Sequence, residues 1–282
     1  MTQYRIAVDI GGTFTDCIVL DEHGARLMAK ALTTPRDPSQ GVLDAVAVAA
    51  RDLGMDTPGL LSRTIDFVHG STIGTNTLVQ RSGARTGLLT TRGHEDSIII
   101  GRVRQKVAGL PESARIHVAH LHKAEPPLVA RRDIRGIHQR HDARGAELVA
   151  LDLAAVEQEV DALVADGIEA LAVCFLWAFV NPAHERQVRE LVARRHPQLY
   201  LTISSDLISV LGEYERTVST CLNCYIGPAT RLYLERLEAR LAGHGYANPL
   251  LIMQLNGGLS TVAAIKEKPI LTLDSGPVGG IL

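Results

Sequence analysis

The hydrophobic pattern of the chain changes period several times, and each change marks an element. Residues 5–10, RIAVDI, alternate with β-branched residues, and 17–21, CIVLD, repeat the pattern after Gly11-Gly12. The two read as strands of a hairpin with a tight glycine turn. Residues 25–32 give a third strand, which Thr33-Thr34-Pro35 ends. From Asp37-Pro38-Ser39 the period lengthens, and Val42, Leu43, Val46, Ala49, Ala50 and Leu53 recur at helical spacing until Gly54. Strands over 64–69 and 86–90 flank a helix for which Ser71 or Thr72 is the candidate cap.

The later pattern is βαβ-like. Residues 134–148 predict a hairpin around 142–145, and Asp152 caps a helix to Asp166 that carries Leu153, Val156, Val160, Leu163 and Val164. A wholly apolar strand over 170–179, a helix over 182–195 and a strand over 200–203 follow, so this part predicts a mostly parallel sheet. A long helix then begins near Glu213, with Pro228 kinking or restarting it, and stops at Gly243. The strand 250–253 delivers Gln254, Asn256 and Gly257-Gly258 at its carboxyl end, where open α/β sheets place ligands.

Composition narrows the class. With 282 residues, 46% hydrophobic and 21% charged, the chain is an ordinary globular protein of one or two domains. A net charge of -2 gives no electrostatic reason for nucleic acid or an anionic membrane as partner. The longest apolar run, 170–180, is too short to span a bilayer, and the N-terminus enters structure without a leader pattern, so a cytoplasmic location is expected. Four cysteines fit reduced thiols, and the Cys221–Cys224 pair lies in a helical pattern where packing is the default. His117, His120 and His122 fall close together, but no carboxylate or cysteine accompanies them at metal-ligand spacing.

The chemistry is most legible at 9–16, DIGGTFTD. Gly11 and Gly12 let backbone approach an anion, successive N–H groups form a concavity for it, and Thr13 and Thr15 add hydroxyls. Asp9 and Asp16 bracket the turn, and carboxylates beside a phosphate call for Mg²⁺ or a positioned water. The plainer alternative is a glycine hairpin with a polar tip. No GxxxxGK[ST] occurs, and no GxGxxG follows a strand.

DIGGTFTD followed by a hydrophobic strand resembles the first phosphate motif of the superfamily of actin, sugar kinases and heat-shock ATPases. More narrowly, it resembles the N-terminal signature of the hydantoinase A and 5-oxoprolinase family, which includes acetone and acetophenone carboxylase subunits. HGSTIGTN at 69–76, GHEDSIIIGRVR at 93–104, EYERT at 213–217, MQLNGGL at 253–259 and DSGPVGG at 274–280 resemble further blocks of that family. Ser205 stands where the family usually carries His, and 105–127 departs from the hydantoinase pattern towards the carboxylase and lactamase types, leaving the substrate open.

The resemblance implies an actin-like ATPase fold of the ribonuclease H-like kind, α/β with mixed sheets and flanking helices. It divides the chain into an N-terminal domain, 1–180, and the start of a second, 200–282. The second DxGGTxxD motif of the family is absent, so the expectation is the N-terminal portion of a longer protein, weakly active or inactive alone. The implied cofactors are ATP and Mg²⁺, with Asp9 and Asp16 catalytic and Asp9 meeting the metal through Mg-ATP. Gly11, Gly12, Thr13, Thr15, Ser275, Gly276, Gly279 and Gly280 would bind phosphates, while His69, Thr72, Asn76, Gln254, Asn256, Gly257 and Gly258 would line the substrate cleft. The implied activity is ATP-dependent opening of the C–N bond of a cyclic amide (a hydantoin, 5-oxoproline or a lactam) through phosphoryl activation of its carbonyl oxygen, or carboxylation of a ketone such as acetone or acetophenone. The implied partner is a hydantoinase B-type subunit. A kinase of the same fold and a chaperone-like ATPase are the rival classes.

Overall fold

The computed structural model describes residues 2–34, 36–102, 109–115, 127–273 and 275. Its first strands are β1 (Tyr4–Ile10), β2 (Phe14–Asp21) and β3 (Arg26–Leu32), followed by α1 (Pro38–Asp52), β4 (Thr64–Gly70) and α2 (Ile73–Val79). The middle of the chain supplies β5 (Thr86–Thr91), β6 (Ile134–Ile137), β7 (Arg140–His141), β8 (Glu147–Val149), α3 (Leu153–Ala165) and β9 (Ala170–Cys174). Then come α4 (Ala183–Arg195), β10 (Tyr200–Ile203), α5 (Glu213–Gly243), β11 (Leu250–Met253), β12 (Leu259–Thr261) and α6 (Val262–Glu267). His117, His120, His122, Gly276, Gly279 and Gly280 lie outside the described residues.

The chain forms two compact units. The first is discontinuous, Met1–Gly83 with Ala229–Leu282, and the second is Ala84–Pro228. These boundaries cut across the sequence-family segments 1–180 and 200–282, and α5 changes unit at Pro228, through which its helix continues.

In the first unit a six-stranded sheet has the order β12-β11-β4-β1-β2-β3. β1 pairs antiparallel with β2 and parallel with β4, and β4 pairs parallel with β11. Strict alternation in β1 sends Tyr4, Ile6, Val8 and Ile10 inward and Arg5, Ala7 and Asp9 outward. The inward set joins Cys17, Val19 and Ala29, the α1 residues Val42, Ala45, Val46, Ala49 and Ala50, and Tyr233, Leu234, Leu237 and Leu241 of α5 in one core. Each fully buried leucine or valine there contributes roughly 1.5–3 kcal/mol relative to an exposed one.

The second unit holds a parallel sheet, β10-β9-β5-β6, as the alternation of apolar strands and helices predicts. Two expectations change. The hairpin over 134–148 is replaced by a split, because Ile134 and Ile137 are buried and β6 joins β5, leaving only β7 and β8 to pair around the turn. Asp142 Oδ1 holds that turn through Arg144 N at 2.8 Å and Ala146 N at 2.9 Å. The strand over 170–179 ends at Cys174, because side chains take the next two amides: Phe175 N donates to Glu185 Oε1 at 2.8 Å and Leu176 N to Thr91 Oγ1 at 3.0 Å. The chain then turns through Trp177, whose φ of 59° lies in the left-handed region.

Glu185 and Arg216 are both buried, with Arg216 Nη2 3.6 Å from Glu185 Oε1. Glu185 also accepts from Ser204 Oγ at 2.6 Å and Ser205 N at 2.8 Å, while Arg216 donates to Phe175 O at 2.8 Å. Burial pushes the Glu185 pKa up, and the bonds from Ser204, Phe175 and Ser205 pull it down. All four cysteines are free and buried; burial carries Cys17 and Cys224 up to about 12, so the thiols pack rather than react.

Removing one member of a buried pair strands the other charge. Arg216→Met is therefore expected to lower the unfolding free energy by about 3–5 kcal/mol. Adding Glu185→Gln, which discharges the partner but keeps an acceptor, should recover a large part of that loss. Urea unfolding of the three chains decides, and an Arg216→Met chain as stable as the parent would refute the assignment.

Candidate functional site

β1, β4 and β11 are parallel neighbours, so Ile10, Gly70 and Met253 finish at the same edge of the first unit's sheet. The segments that leave this edge are the β1–β2 turn, Ser71-Thr72 and 254–258. Carboxyl ends of parallel strands are where such sheets bind ligands.

The turn is held from beneath. Gly11 N donates to Phe14 O at 2.9 Å, leaving Gly12 and Thr13 as an exposed two-residue tip. Thr33 N donates to Thr13 O at 2.9 Å and Thr33 Oγ1 to Gly11 O at 2.9 Å. Thr15 is fully buried, with its hydroxyl 3.2 Å from Thr33 Oγ1, so it props the turn from inside and does not present a donor at the tip. Its position on the inward face of β2, beside Cys17 and Val19, explains this. At Gly12 an added Cβ would meet no atom within 4 Å, so the space in front of the tip is open to an incoming group.

Asp9 and Asp16 occupy directly opposed positions on β1 and β2. Opposed Cβ atoms in an antiparallel pair are about 5 Å apart, and like charges there repel. Asp16 is relieved by Lys30, its neighbour on β3, at 2.9 Å. Asp9 stands opposite Gly70 on β4, and a Cβ at position 70 would come within 2.8 Å of Asp9 Oδ1. A larger residue there would push the Asp9 carboxylate out of this position. Burial and the facing Asp16 hold the Asp9 pKa above the ordinary carboxylate range, against a lowering hydrogen bond from Ile10. Two oxygen-donor carboxylates beside an open tip form a donor set that suits a hard cation such as Mg²⁺ carried by a phosphate ligand. The observed geometry therefore fits a phosphate group that carries a hard cation.

The other expected residues divide. Thr72 Oγ1 donates to Ile10 O at 2.9 Å and accepts from Asn76 Nδ2 at 3.2 Å, which fastens the start of α2 to the end of β1. Ser71 Oγ takes Ile73 N at 3.3 Å, whereas the Thr72 side chain makes no cap bond. His69 faces the core. It is fully buried, its Nδ1 lies 3.3 Å from Val8 O and its Nε2 2.7 Å from Tyr233 Oη, and burial pulls its pKa down to about 4. This is a correction to a cleft-lining role. Alternation along β4 sends Phe67 and His69 to the buried side.

Gln254 to Gly258 form the turn between β11 and β12. Gln254 N donates to Gly258 O at 2.8 Å, and Asn256 Oδ1 accepts from Gly258 N at 2.9 Å, so the Asn256 carboxamide keeps its NH₂ group for a ligand. Ser275 is buried, donating to Ser71 O at 3.2 Å, and braces the end of β4 rather than offering a hydroxyl outward. Lys30, Thr33 and Gly70 were missed in the sequence. Their signal is register: each becomes meaningful only once its cross-strand neighbour is known.

The profile described as "Hydantoinase/oxoprolinase N-terminal region" matches residues 5–196, and that described as "Hydantoinase/oxoprolinase" matches 216–282. The chain is 36% identical to the acetophenone carboxylase gamma subunit of Aromatoleum aromaticum, over 98% of this chain and 38% of that protein. It is 33% identical to caprolactamase subunit alpha of Pseudomonas jessenii, over 98% of this chain and 38% of that protein. The nucleotide-free structure of acetone carboxylase superposes with a TM-score of 0.88 at 29% identity, covering 100% of this chain and 40% of that one. The structure of ATP-dependent caprolactamase from Pseudomonas jessenii gives 0.84 at 31% identity, covering 97% and 38%. The α/β fold with mixed sheets is the actin-like fold of those proteins, and the chain spans about two-fifths of the relatives' length. Among the described residues no helix is long and apolar enough to cross a membrane.

The buried, neutral His69 makes stability depend on pH. Its folded pKa, about 4, lies below the ordinary 6.5, so the unfolded chain binds the extra proton and stability falls as pH drops from about 7 through 5 towards 4. Between pH 7 and pH 5 the loss attributable to this group is about 2 kcal/mol. His69→Gln should flatten that part of the pH dependence in urea unfolding; an unchanged slope would mean His69 is not held neutral.

Proposed function

The chain belongs to the hydantoinase/oxoprolinase family, and from that we propose that it forms the phosphate-handling part of an ATP-dependent enzyme that activates the carbonyl oxygen of a small substrate. The substrate we favour is a cyclic amide, opened at its C–N bond. The observation that carries this reading is the opposed Asp9–Asp16 pair beside the open Gly12–Thr13 tip.

Bound Mg-ATP supplies a transferable phosphoryl group, which turns a carbonyl oxygen into a leaving group. The chain's own residues position and neutralise. Backbone amides at Gly12 and Thr13 point donors at phosphate oxygens without reorganisation, since Thr33 fixes the turn from below. Asp9 would hold the cation, and its raised pKa marks a carboxylate whose charge lacks a partner until a cation arrives. Asp16, already paired with Lys30, would orient Asp9 or a water. The Gln254 and Asn256 amides would hydrogen-bond the substrate carbonyl. His69 serves the scaffold only.

A second reading has its own support. The acetophenone carboxylase gamma subunit is 36% identical to this chain against 33% for the caprolactamase subunit, so a ketone activated at the same oxygen and then carboxylated fits the same residues. The relatives named are subunits, and a hydantoinase B-type partner chain is part of the proposal. These 282 residues by themselves are expected to turn over ATP slowly or not at all.

The test uses the full-length protein with its partner subunit. Phosphate release is measured against hydantoins, 5-oxoproline, caprolactam, and acetone or acetophenone with bicarbonate. Stimulation by a cyclic amide, lost by about 10²-fold or more in Asp9→Asn, is the expected result. Stimulation by a ketone with bicarbonate alone moves the assignment to the carboxylase reading, and stimulation by neither removes both.

Gly12→Ala separates binding from folding. Nothing occupies the Cβ position and the φ of Gly12 lies outside the left-handed range, so unfolding free energy should change by no more than about 0.5 kcal/mol. Calorimetric affinity for Mg-ATP should fall at least about tenfold, because the methyl group fills the phosphate's approach. Undiminished binding would place the phosphate elsewhere.

A further inference from the structure

Apart from the phosphate turn, the second unit carries a group of side chains with the character of a metal site. His141 on β7, Glu147 on β8 and His184 in the first turn of α4 each offer a ligand atom, and these atoms lie within 4.8 Å of one another. They come from three elements and 43 positions of sequence, so no local pattern advertises them.

Both histidines are almost completely buried, and the Glu147 side chain is half exposed. His184 Nε2 stands 2.7 Å from Glu147 Oε2. The imidazoles of His141 and His184 lie 4.0 Å apart between centroids and 26° from parallel. Ligands of a tetrahedral zinc are about 3.3 Å apart when the bonds are 2.0–2.1 Å. The pair at 2.7 Å would open slightly to admit the ion, and an exposed carboxylate side chain does this by rotation.

The outer arrangement supports the same conclusion. A ligating histidine needs its other ring nitrogen fixed by a hydrogen bond. His184 Nδ1 is 2.9 Å from Gln139 Oε1, and the buried Gln139 donates through Nε2 to Thr91 Oγ1 at 2.6 Å. That chain of bonds presents Nε2 towards Glu147 and His141. The turn carrying these ligands is also anchored, since Asn181 Nδ2, just before α4, donates to Gly145 O at 2.8 Å.

We propose that His141, Glu147 and His184 form a binding site for a borderline divalent cation of the zinc class, with three protein ligands and one position open to solvent through the Glu147 side. The His₂-carboxylate set favours zinc over Mg²⁺, which prefers oxygen ligands. The site is separate in residues and in ligand chemistry from the carboxylates of the phosphate turn. Occupied, it clasps the β7–β8 turn to the start of α4.

The test is metal analysis of the full-length protein, stripped with chelator, re-equilibrated with Zn²⁺ and gel-filtered, together with Co²⁺ spectroscopy. The expected result is saturable zinc at a single site per chain that excess Mg²⁺ does not displace, and visible bands of low-coordinate Co²⁺. Glu147→Gln, half exposed and therefore safe for folding, should weaken the zinc affinity at least about tenfold, and His141→Asn should abolish the Co²⁺ bands. A chain with His117, His120 and His122 all changed to Gln should bind as the parent does. Absence of saturable zinc, or binding that survives Glu147→Gln and His141→Asn but not the triple change, would overturn the proposal and leave His184 and Glu147 as a hydrogen-bonded pair.

Discussion

Two carboxylates directly opposite each other on adjacent strands repel, and the first unit is organised around keeping Asp9 and Asp16 in that position. The compensation is spread across four strands in one row: Gly70 makes room for Asp9, and Lys30 neutralises Asp16. The opposite face of the same strands is apolar and closed by α1 and α5, so the register cannot slip by one residue without turning the core outward. Burying one face therefore fixes the charge pair on the other. The electrostatic tension left at Asp9 is what a cation would relieve, which joins the stability of the sheet to the chemistry of the turn.

Much of the fold was legible in the sequence because the local signals agreed with the global result. β-Branched alternation gave β1 and β2 to within a few residues, the run ended by Thr33-Thr34-Pro35 gave β3, helical spacing gave α1, and Asp152 caps α3 through Ala154 N and Ala155 N. The failures occurred where tertiary bonds override propensity. Residues 175–179 are apolar enough to continue a strand, yet Glu185 and Thr91 capture the amides that a neighbouring strand would need. The segment 134–148 contains a genuine turn, but the burial of Ile134 and Ile137 draws its first half into another sheet.

At the site, residue type was readable and side-chain direction was not. Thr15 and Thr13 look alike in a motif; Thr15 lies on the inward face of β2 and is buried, whereas Thr13 belongs to the turn before the strand and is exposed. His69 sits in a glycine-rich, cleft-like string, yet its strand position sends it against Tyr233. The histidine cluster that drew notice in the sequence was the sequential one, whereas His141 and His184 meet only through the fold.

The discontinuity of the first unit has a consequence for synthesis. Residues 84–228 leave the ribosome as one contiguous piece, while residues 2–83 still lack Tyr233, Leu234, Leu237, Leu241, Leu250 and Ile252. Until β11 arrives, β4 presents a bare edge on the side away from β1, and His69 has no Tyr233 to bond. The phosphate turn is thus made well before the strand and helix that complete its foundation. A nascent chain halted before residue 250 would expose an unpaired, aggregation-prone sheet edge, and lesions between 229 and 253 would be felt at the phosphate turn.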